Sequence, residues 1–141
     1  MYAITRSLIA LVAIALALAG SGVAAGASDS FTGAWTLDDG DGSTSYYFFS
    51  APSSSGTRQF QLFDTYATFC EVDGQPGTGS SLTAHGTAVD NGTTISITVT
   101  SFQCANGSSG ANPPPIYLSA TLAGGKLDFG GGFLATRLGS G

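Results

Sequence analysis

The sequence predicts an all-β domain, in which an antiparallel meander of about eight strands forms either a small barrel or a two-sheet sandwich. Beyond residue 27, no segment has the 3.6-residue apolar period of an amphipathic helix. In the stretch TISITVT, residues 94–100, Ile95, Ile97 and Val99 share one face and hydroxyl residues share the other; IYLSATL at 116–122 alternates in the same way. One apolar and one polar face per strand is typical of antiparallel sheets.

The candidate strands follow one another along the chain, each bounded by Gly, Pro, Asn, Asp or Ser. They are residues 34–38, 44–50, 57–64, 67–72, 82–89, 93–104, 116–122 and 127–129 with 133–138. The last pair is either one strand interrupted by three glycines or two separate strands. The apolar phase slips before Phe102, which predicts a bulge or a strand end there.

Turn residues separate these candidates. Asn91-Gly92 predicts a two-residue hairpin, because both residues tolerate positive φ, and Gly124-Gly125 predicts another. The segments 73–81 and 105–115 are long polar loops. In so small a domain, such loops are either functional rims or simple exposed connections.

Residues 1–27 have the layout of a secretory signal peptide. Arg6 precedes the apolar run LIALVAIALALA, and small residues up to Ala27 offer a cleavage site. The run is short for a membrane anchor, which needs about 18 or more apolar residues. We therefore expect a single secreted β-domain, residues 28–141, that is extracellular or periplasmic and does not insert into a membrane after cleavage.

The charge of that domain argues against nucleic-acid binding. It would hold all nine acidic residues of the chain but only three of its four basic ones. A negatively charged surface repels phosphate backbones. The sequence also has no basic amphipathic segment that would bind a membrane surface.

Cys70 and Cys104 are the two cysteines of the chain. In an exported protein they meet an oxidising compartment, so we expect a disulfide between them. In the chain-entropy model, closing the loop between them stabilises the fold by about 3–4 kcal/mol.

The first and last candidate strands carry a feature of two barrel families. Gly33-Ala34-Trp35 opens the first strand, and Arg137 lies in the last. This arrangement resembles the Gly-x-Trp and Arg of lipocalins and avidins, in which the Arg side chain packs across the Trp and closes the base of the barrel. The resemblance implies a calycin-like barrel with Gly33, Trp35 and Arg137 as its barrel-closing cluster.

A second resemblance spans most of residues 31–138 and is to a group of small secreted bacterial β-domains. These share a Trp, an Asp-Gly-Ser turn, an Asp-x-x-Ala-x-x-Cys stretch and a second Cys. The matching positions here are Trp35, residues 41–43, the stretch from Asp64 to Cys70, and Cys104. This resemblance implies a fold and carries no activity with it.

The acidic turn DDGDGS at 38–43 raises the question of a calcium loop. Counted from its second aspartate, an EF-hand would need Gly where Thr44 stands and a bidentate Glu where Ser50 stands. We therefore predict a hairpin turn in which Gly40 and Gly42 supply positive φ. A looser calcium site on the three aspartates is the alternative.

Four consecutive aromatics follow that turn. In a strand, Tyr46 and Phe48 must point to one face while Tyr47 and Phe49 point to the other. Two aromatics are therefore left on the outer face, where they would stack on sugar rings or dock a partner. We favour the interpretation that the loop at 105–115 folds over the outer pair, and an exposed binding surface is the alternative.

Catalytic chemistry finds little support in the sequence. His85, the only histidine, falls on the polar side of its strand, and no Gly-x-Ser-x-Gly nucleophile elbow accompanies it. Glu71, the only glutamate, has Asp64 and Asp73 as its candidate partners, at strand ends or in loops. We therefore expect no enzymatic activity, no metal and no cofactor.

Three classes of function remain. The first is a non-catalytic binding module, which holds a small ligand in a barrel mouth or docks a glycan or surface protein on its rim loops and outer aromatics. The second is a structural or accessory extracellular domain without a small-molecule ligand. The third is a minimal hydrolase. We favour the binding module, because it accounts for the long loops and the surplus aromatic pair.

Overall fold

The computed structural model describes residues 29–110 and 113–139, which form a closed barrel of eight antiparallel strands. The strands follow one another around the barrel in chain order, and β8 closes it by pairing with β1. The strands are β1 (Gly33–Asp38), β2 (Thr44–Phe49), β3 (Thr57–Ala67), β4 (Ser80–Asp90), β5 (Thr94–Cys104), β6 (Ile116–Ala123), β7 (Lys126–Asp128) and β8 (Leu134–Arg137). The barrel alternative is thus confirmed over the sandwich. The expected signal peptide, residues 1–27, lies outside the described residues.

The expected strand at 67–72 is wrong. β3 continues through a bulge to Ala67, and the chain then turns through two short 3-10 segments, Thr68–Cys70 and Val72–Gly74. Cys70 explains the difference, because it is fully buried and its disulfide holds this segment against the end of β5. No helix in the described part of the chain is long and apolar enough to cross a membrane.

The interruption at 130–132 is a turn, so β7 and β8 are separate strands. All three glycines of this segment have positive φ, which three successive residues of a regular strand do not adopt. The number of strands still matches the expectation, because one expected strand is lost and another is divided in two.

The expected irregularity before Phe102 is a β-bulge. β4 and β5 shift register at Gly86, and the pairing skips Thr100. The two strands approach closely here, because a Cβ on Gly86 would lie 2.0 Å from the carbonyl oxygen of Thr98. The bulge returns Phe102 to the interior face of β5.

Two hairpin turns differ in length. Gly124 and Gly125 both have positive φ and form the expected two-residue turn. The connection between β4 and β5 is one residue longer than expected and spans 91–93. The Asn91 carboxamide oxygen accepts bonds from two following backbone amides at 3.1 and 2.8 Å, which stabilises the longer turn.

We call the end at which β1, β3, β5 and β7 begin the base of the barrel, and the opposite end the mouth. Trp35 and Phe31 are buried in the base, and the Trp35 Nε1 donates to the Phe31 carbonyl at 3.0 Å. The guanidinium of Arg137 lies 4.5 Å over the Trp35 ring and donates to the carbonyl of Thr32. Gly33 is required beside it, because a Cβ there would lie 3.3 Å from Arg137 and its φ is +118°.

A second arginine completes the base. Arg58 is only 4% exposed and forms ion pairs with both Asp29 and Asp90 at 2.8 Å. Its guanidinium also lies 5.8 Å from the centre of the Phe31 ring. These bonds hold the pKa of Asp29 far below its usual range and raise the pKa of Arg58, so the base keeps its charges at neutral pH.

Candidate functional site

An apolar cavity of about 240 Å³ lies inside the barrel near the mouth. Its walls come from the inward faces of β3 to β6 and from the first 3-10 segment. The lining residues are Leu62, Phe69, Leu82, Ala84, Val99, Phe102, Ile116 and Leu118. Because all of these side chains are hydrophobic, the cavity favours apolar matter over water.

Small side chains and short strands leave this space open. Ala84 and Gly86 face inward from β4, where larger residues would fill the barrel. Across the interior, β7 and β8 have three and four residues against eleven in each of β3, β4 and β5. β6 therefore pairs with β7 only through residues 121–123, and Ile116 and Leu118 face the cavity half-buried.

Phe69 and Phe102 form the roof of the cavity. Their rings meet edge to face with centroids 4.9 Å apart. The expected disulfide is present: Cys70 follows Phe69 and is bonded to Cys104, two residues beyond Phe102. The loop above packs tightly on the roof, because a Cβ on Gly110 would lie 2.2 Å from the Phe69 ring.

Asn106 ties the two long mouth loops together. Its Nδ2 donates to the carbonyl of Cys70 at 2.7 Å and to that of Thr78 at 3.1 Å. The β5–β6 connection is thereby bonded to the β3–β4 connection, and the roof is held by side-chain bonds as well as by the disulfide.

Aromatic rings fill the other half of the mouth interior. Tyr47 stacks on Phe129 with 4.6 Å between ring centroids and lies 6.5 Å from Phe60. Burial, together with the nearby carboxylates of Asp39 and Asp64, raises the pKa of Tyr47 to about 12. Tyr47 therefore remains a neutral phenol at physiological pH.

A carboxylate adjoins the apolar cavity. Asp64 is the next inward residue of β3 after Leu62, and its register partner on β4 is Leu82, so cavity-lining residues flank it on both strands. Its oxygens accept bonds from the Ser45 hydroxyl at 3.0 Å and the Tyr66 amide at 2.9 Å. Burial raises the pKa of Asp64, and the neighbouring acidic turn adds to the effect.

The four aromatics predicted as a binding surface fall on two faces of β2. Tyr47 and Phe49 face the interior and belong to the filled part of the barrel. Tyr46 and Phe48 face outward, as strand alternation requires. The four residues therefore do not form one site.

The outward pair is extended by an aromatic from the next strand. Tyr46 stacks on Phe63 of β3 at 6.3 Å, and Phe48 and Phe63 are 42% and 40% exposed. The described part of the 105–115 loop packs on the roof of the cavity instead, so the expected cover over this aromatic face is wrong.

The acidic segment forms the expected turn between β1 and β2, with positive φ at Gly40 and Gly42. Its carboxylates bond to the turn itself: Asp38 accepts from the Gly40 amide at 3.3 Å, and Asp41 accepts from the Ser43 amide at 2.8 Å. Among the described residues, no group of three or more His, Cys, Asp or Glu side chains is arranged to hold a metal ion.

Of the residues considered for catalysis, only Glu71 and Asp73 come together, in the lining of one surface pocket at the mouth. His85 is exposed on the outer face of β4, and Glu71 lies in the β3–β4 connection, where its Oε1 accepts from the Gly77 amide at 3.2 Å. Asp64 was expected at a strand end, but β3 continues past it and it faces the barrel interior. His85 and Asp64 are therefore on opposite faces of the barrel wall.

Sequence reasoning missed two features of the molecule. The first is the buried Arg58, whose signal was its alternation with Phe60 and Leu62 on one face of β3. The second is the set of residues that line the cavity, whose signal was the run of small inward residues on β4, Ala84, Gly86 and Ala88.

No protein-family model, curated protein or solved structure matches this chain. The fold and the site define a small antiparallel β-barrel with a filled base and an apolar cavity at its mouth. The kinship with lipocalins and avidins stays a prediction from the sequence.

Proposed function

We propose that this chain is a non-catalytic binding module that holds a small apolar ligand in the cavity at the barrel mouth. The observation that carries the proposal is the cavity itself, about 240 Å³ and lined by eight hydrophobic side chains. Concave and mainly apolar pockets are the usual form of small-molecule sites.

The size of the cavity limits the ligand. An apolar cavity of about 150 Å³ already holds benzene, whereas sites for drug-sized molecules span roughly 300–1,000 Å³. The ligand is therefore a small molecule such as a single substituted ring or a medium-length alkyl chain. The neutral alcohol 1-octanol is a suitable first probe.

An extracellular setting is part of the proposal. A disulfide supports it, because such bonds persist in oxidising compartments. The roof residue Phe69 directly precedes Cys70. The disulfide that is expected in an oxidising compartment therefore also positions part of the cavity wall.

Filling the cavity tests this function. Ala84→Leu places a larger side chain in the cavity, while Thr83→Leu places the same side chain on the adjacent outward position. In calorimetric titrations with 1-octanol, we expect wild type and Thr83→Leu to bind and Ala84→Leu to lose binding while keeping its fold. Absence of octanol binding by wild type, or equal binding by all three proteins, would contradict the proposal.

The outer aromatic face favours a second candidate function, the docking of a neutral glycan. Phe48 and Phe63 are exposed beside the half-buried Tyr46, and the amide side chains of Gln59 and Gln61 lie near Phe48. Aromatic rings and amides suit the apolar faces and hydroxyls of sugar rings.

Affinity electrophoresis through neutral polysaccharides tests the second candidate. We expect retardation of wild type that Phe48→Ala removes and that Val89→Ala, an exposed apolar position on β4, retains. If no polysaccharide retards wild type, this candidate fails. If octanol binding also fails, the structural or accessory role is favoured.

A further inference from the structure

Charge is divided between the two ends of the barrel. The base holds every basic side chain of the described residues, namely Arg58, Lys126 and Arg137, together with Asp29 and Asp90, which pair with Arg58. The mouth holds the other acidic residues, and none of the described basic ones: Asp38, Asp39, Asp41, Asp64, Glu71, Asp73 and Asp128. The mouth therefore has a negative potential, which the low-dielectric walls of a cleft concentrate.

Asp64 brings that charge next to the cavity. It is 9% exposed and flanked by the cavity residues Leu62 and Leu82. In the described part of the chain both ion pairs belong to Arg58 at the base, so no basic side chain is paired with Asp64. A buried carboxylate without a cation costs free energy, and a cation brought by a ligand would remove that cost.

We propose that the ligand of the cavity is a cationic amphiphile, a small apolar molecule whose ammonium group lies against Asp64 while its apolar body fills the cavity. This inference rests on the proposed function and specifies its ligand class. The Asp64 carboxylate already accepts bonds from Ser45 and Tyr66, and a carboxylate has about four lone-pair sites, so it retains capacity for an ammonium donor.

The same charge distribution disfavours the anionic alternative. The carboxylate of a fatty acid would enter an end with seven acidic residues and no described basic one. The ligand carboxylate and the acidic side chains of the mouth would repel each other, and no described guanidinium or ammonium group of the mouth would offset the repulsion. A neutral alcohol would gain the apolar contacts alone.

A series of probes with one apolar body and three head groups tests the inference on the unaltered protein. Octylamine, 1-octanol and octanoate differ at neutral pH in charge while sharing their alkyl chain. In titrations at low ionic strength we expect octylamine to bind on the order of tenfold more tightly than octanol, with octanoate weakest. The preference should shrink only in part in about 0.5 M salt, because the exposed carboxylates of the mouth are screened whereas the buried Asp64 is screened much less.

Matched variants locate the effect. Asp64→Asn should bring octylamine affinity close to that of octanol and leave octanol affinity unchanged, which also shows that the cavity is intact. Asp38→Asn removes the same charge from the exposed outward end of β1 and should change octylamine affinity less than about twofold.

The possible outcomes separate the two proposals. If octanol binds and octylamine is no tighter, the charge inference is overturned while the binding function stands. If the two charge variants weaken octylamine equally, Asp64 is not the partner of the ammonium group. If none of the three probes binds, the proposed function itself fails.

Discussion

At the base of the barrel, ionic and aromatic side chains occupy the interior, whereas at the mouth an apolar space stays open beside a carboxylate without a cation. Arg58 in the base is 4% exposed and has two aspartate partners. Asp64 near the mouth is 9% exposed and has hydroxyl and amide partners only. Both ends bury charge, but only the base neutralises it.

The difference shows how a small barrel divides stability from binding. At the base, buried charges are paired and packed against aromatic rings, and these contacts stabilise the fold. The mouth can therefore contain an unfilled cavity. The disulfide between Cys70 and Cys104 lies at the mouth. There the side chains leave a cavity, and a covalent bond adds to the contacts that hold the strands together. The following predictions test that division, beginning with the largest effect.

Truncating an aromatic side chain should cost far more at the base than at the mouth. Trp35→Ala removes a fully buried ring and the surface on which Arg137 lies, and we expect a loss of about 3–5 kcal/mol in the free energy of unfolding. Phe102→Ala removes a half-buried ring beside an existing cavity and should cost about 1–2 kcal/mol. Denaturant unfolding followed by far-UV circular dichroism measures both. Equal costs would mean that the two ends are packed alike.

Removing the disulfide should destabilise the fold and also weaken ligand binding at the mouth. The variant carrying Cys70→Ala and Cys104→Ala should lose about 3–4 kcal/mol by the loop-entropy model. Because Cys70 adjoins the roof residue Phe69, we also expect weaker octanol binding in this variant under folded conditions. A variant that loses stability but binds octanol like wild type would show that the bond does not position the roof.

The two ends should respond to acid with opposite signs. Arg58 lowers the pKa of Asp29, so the folded state gains stability from this carboxylate above its unfolded pKa of about 4 and loses it as pH falls through the lower folded value. Burial raises the pKa of Asp64, so stability falls as pH rises from the unfolded value through the folded one.

Thermal unfolding across pH 2 to 7, a range set around the carboxylate pKa of about 4, separates the two groups. Asp64→Asn should raise the melting temperature at pH 7 and remove the gain on mild acidification. Asp29→Asn should lower the melting temperature at pH 7 and flatten the loss below about pH 4. A lower melting temperature of Asp64→Asn at pH 7 would contradict the cost assigned to its buried charge.

Local pattern predicted most of the wall of the barrel. The alternation in Ile95, Ile97 and Val99 identified the inward face of β5, and the phase slip before Phe102 correctly indicated the bulge. Both features depend on residues that are neighbours in sequence, so a single sequence is enough to predict them. The strand predicted at 67–72 was wrong, because the conformation of this segment is set by the disulfide to Cys104, which lies far along the chain.

The cavity was less predictable, because it is a space that the surrounding side chains do not fill. His85 was placed on the polar side of its strand, which puts its neighbour Ala84 inside, and the last strands were predicted to be short. The sequence does not show that barrel closure sets those short strands across the interior from Ala84. Likewise, Arg58 and Asp90 each look like surface residues, and only the closure of the barrel brings them together. The aromatic pair of Tyr46 and Phe48 was predicted to face outward as one of two options, and the choice depended on which pair packs in the core.

Nuclear magnetic resonance of the folded protein during titration with octylamine tests the central claim most directly, because it observes both ends at once. The single tryptophan gives one indole signal, which reports the base, and the methyl groups of Leu62, Ala84 and Leu118 report the cavity. We expect saturable shifts of the cavity methyl signals and an unchanged Trp35 indole signal. Methyl signals that do not move, or shifts confined to the outer rings of Tyr46, Phe48 and Phe63, would contradict the account.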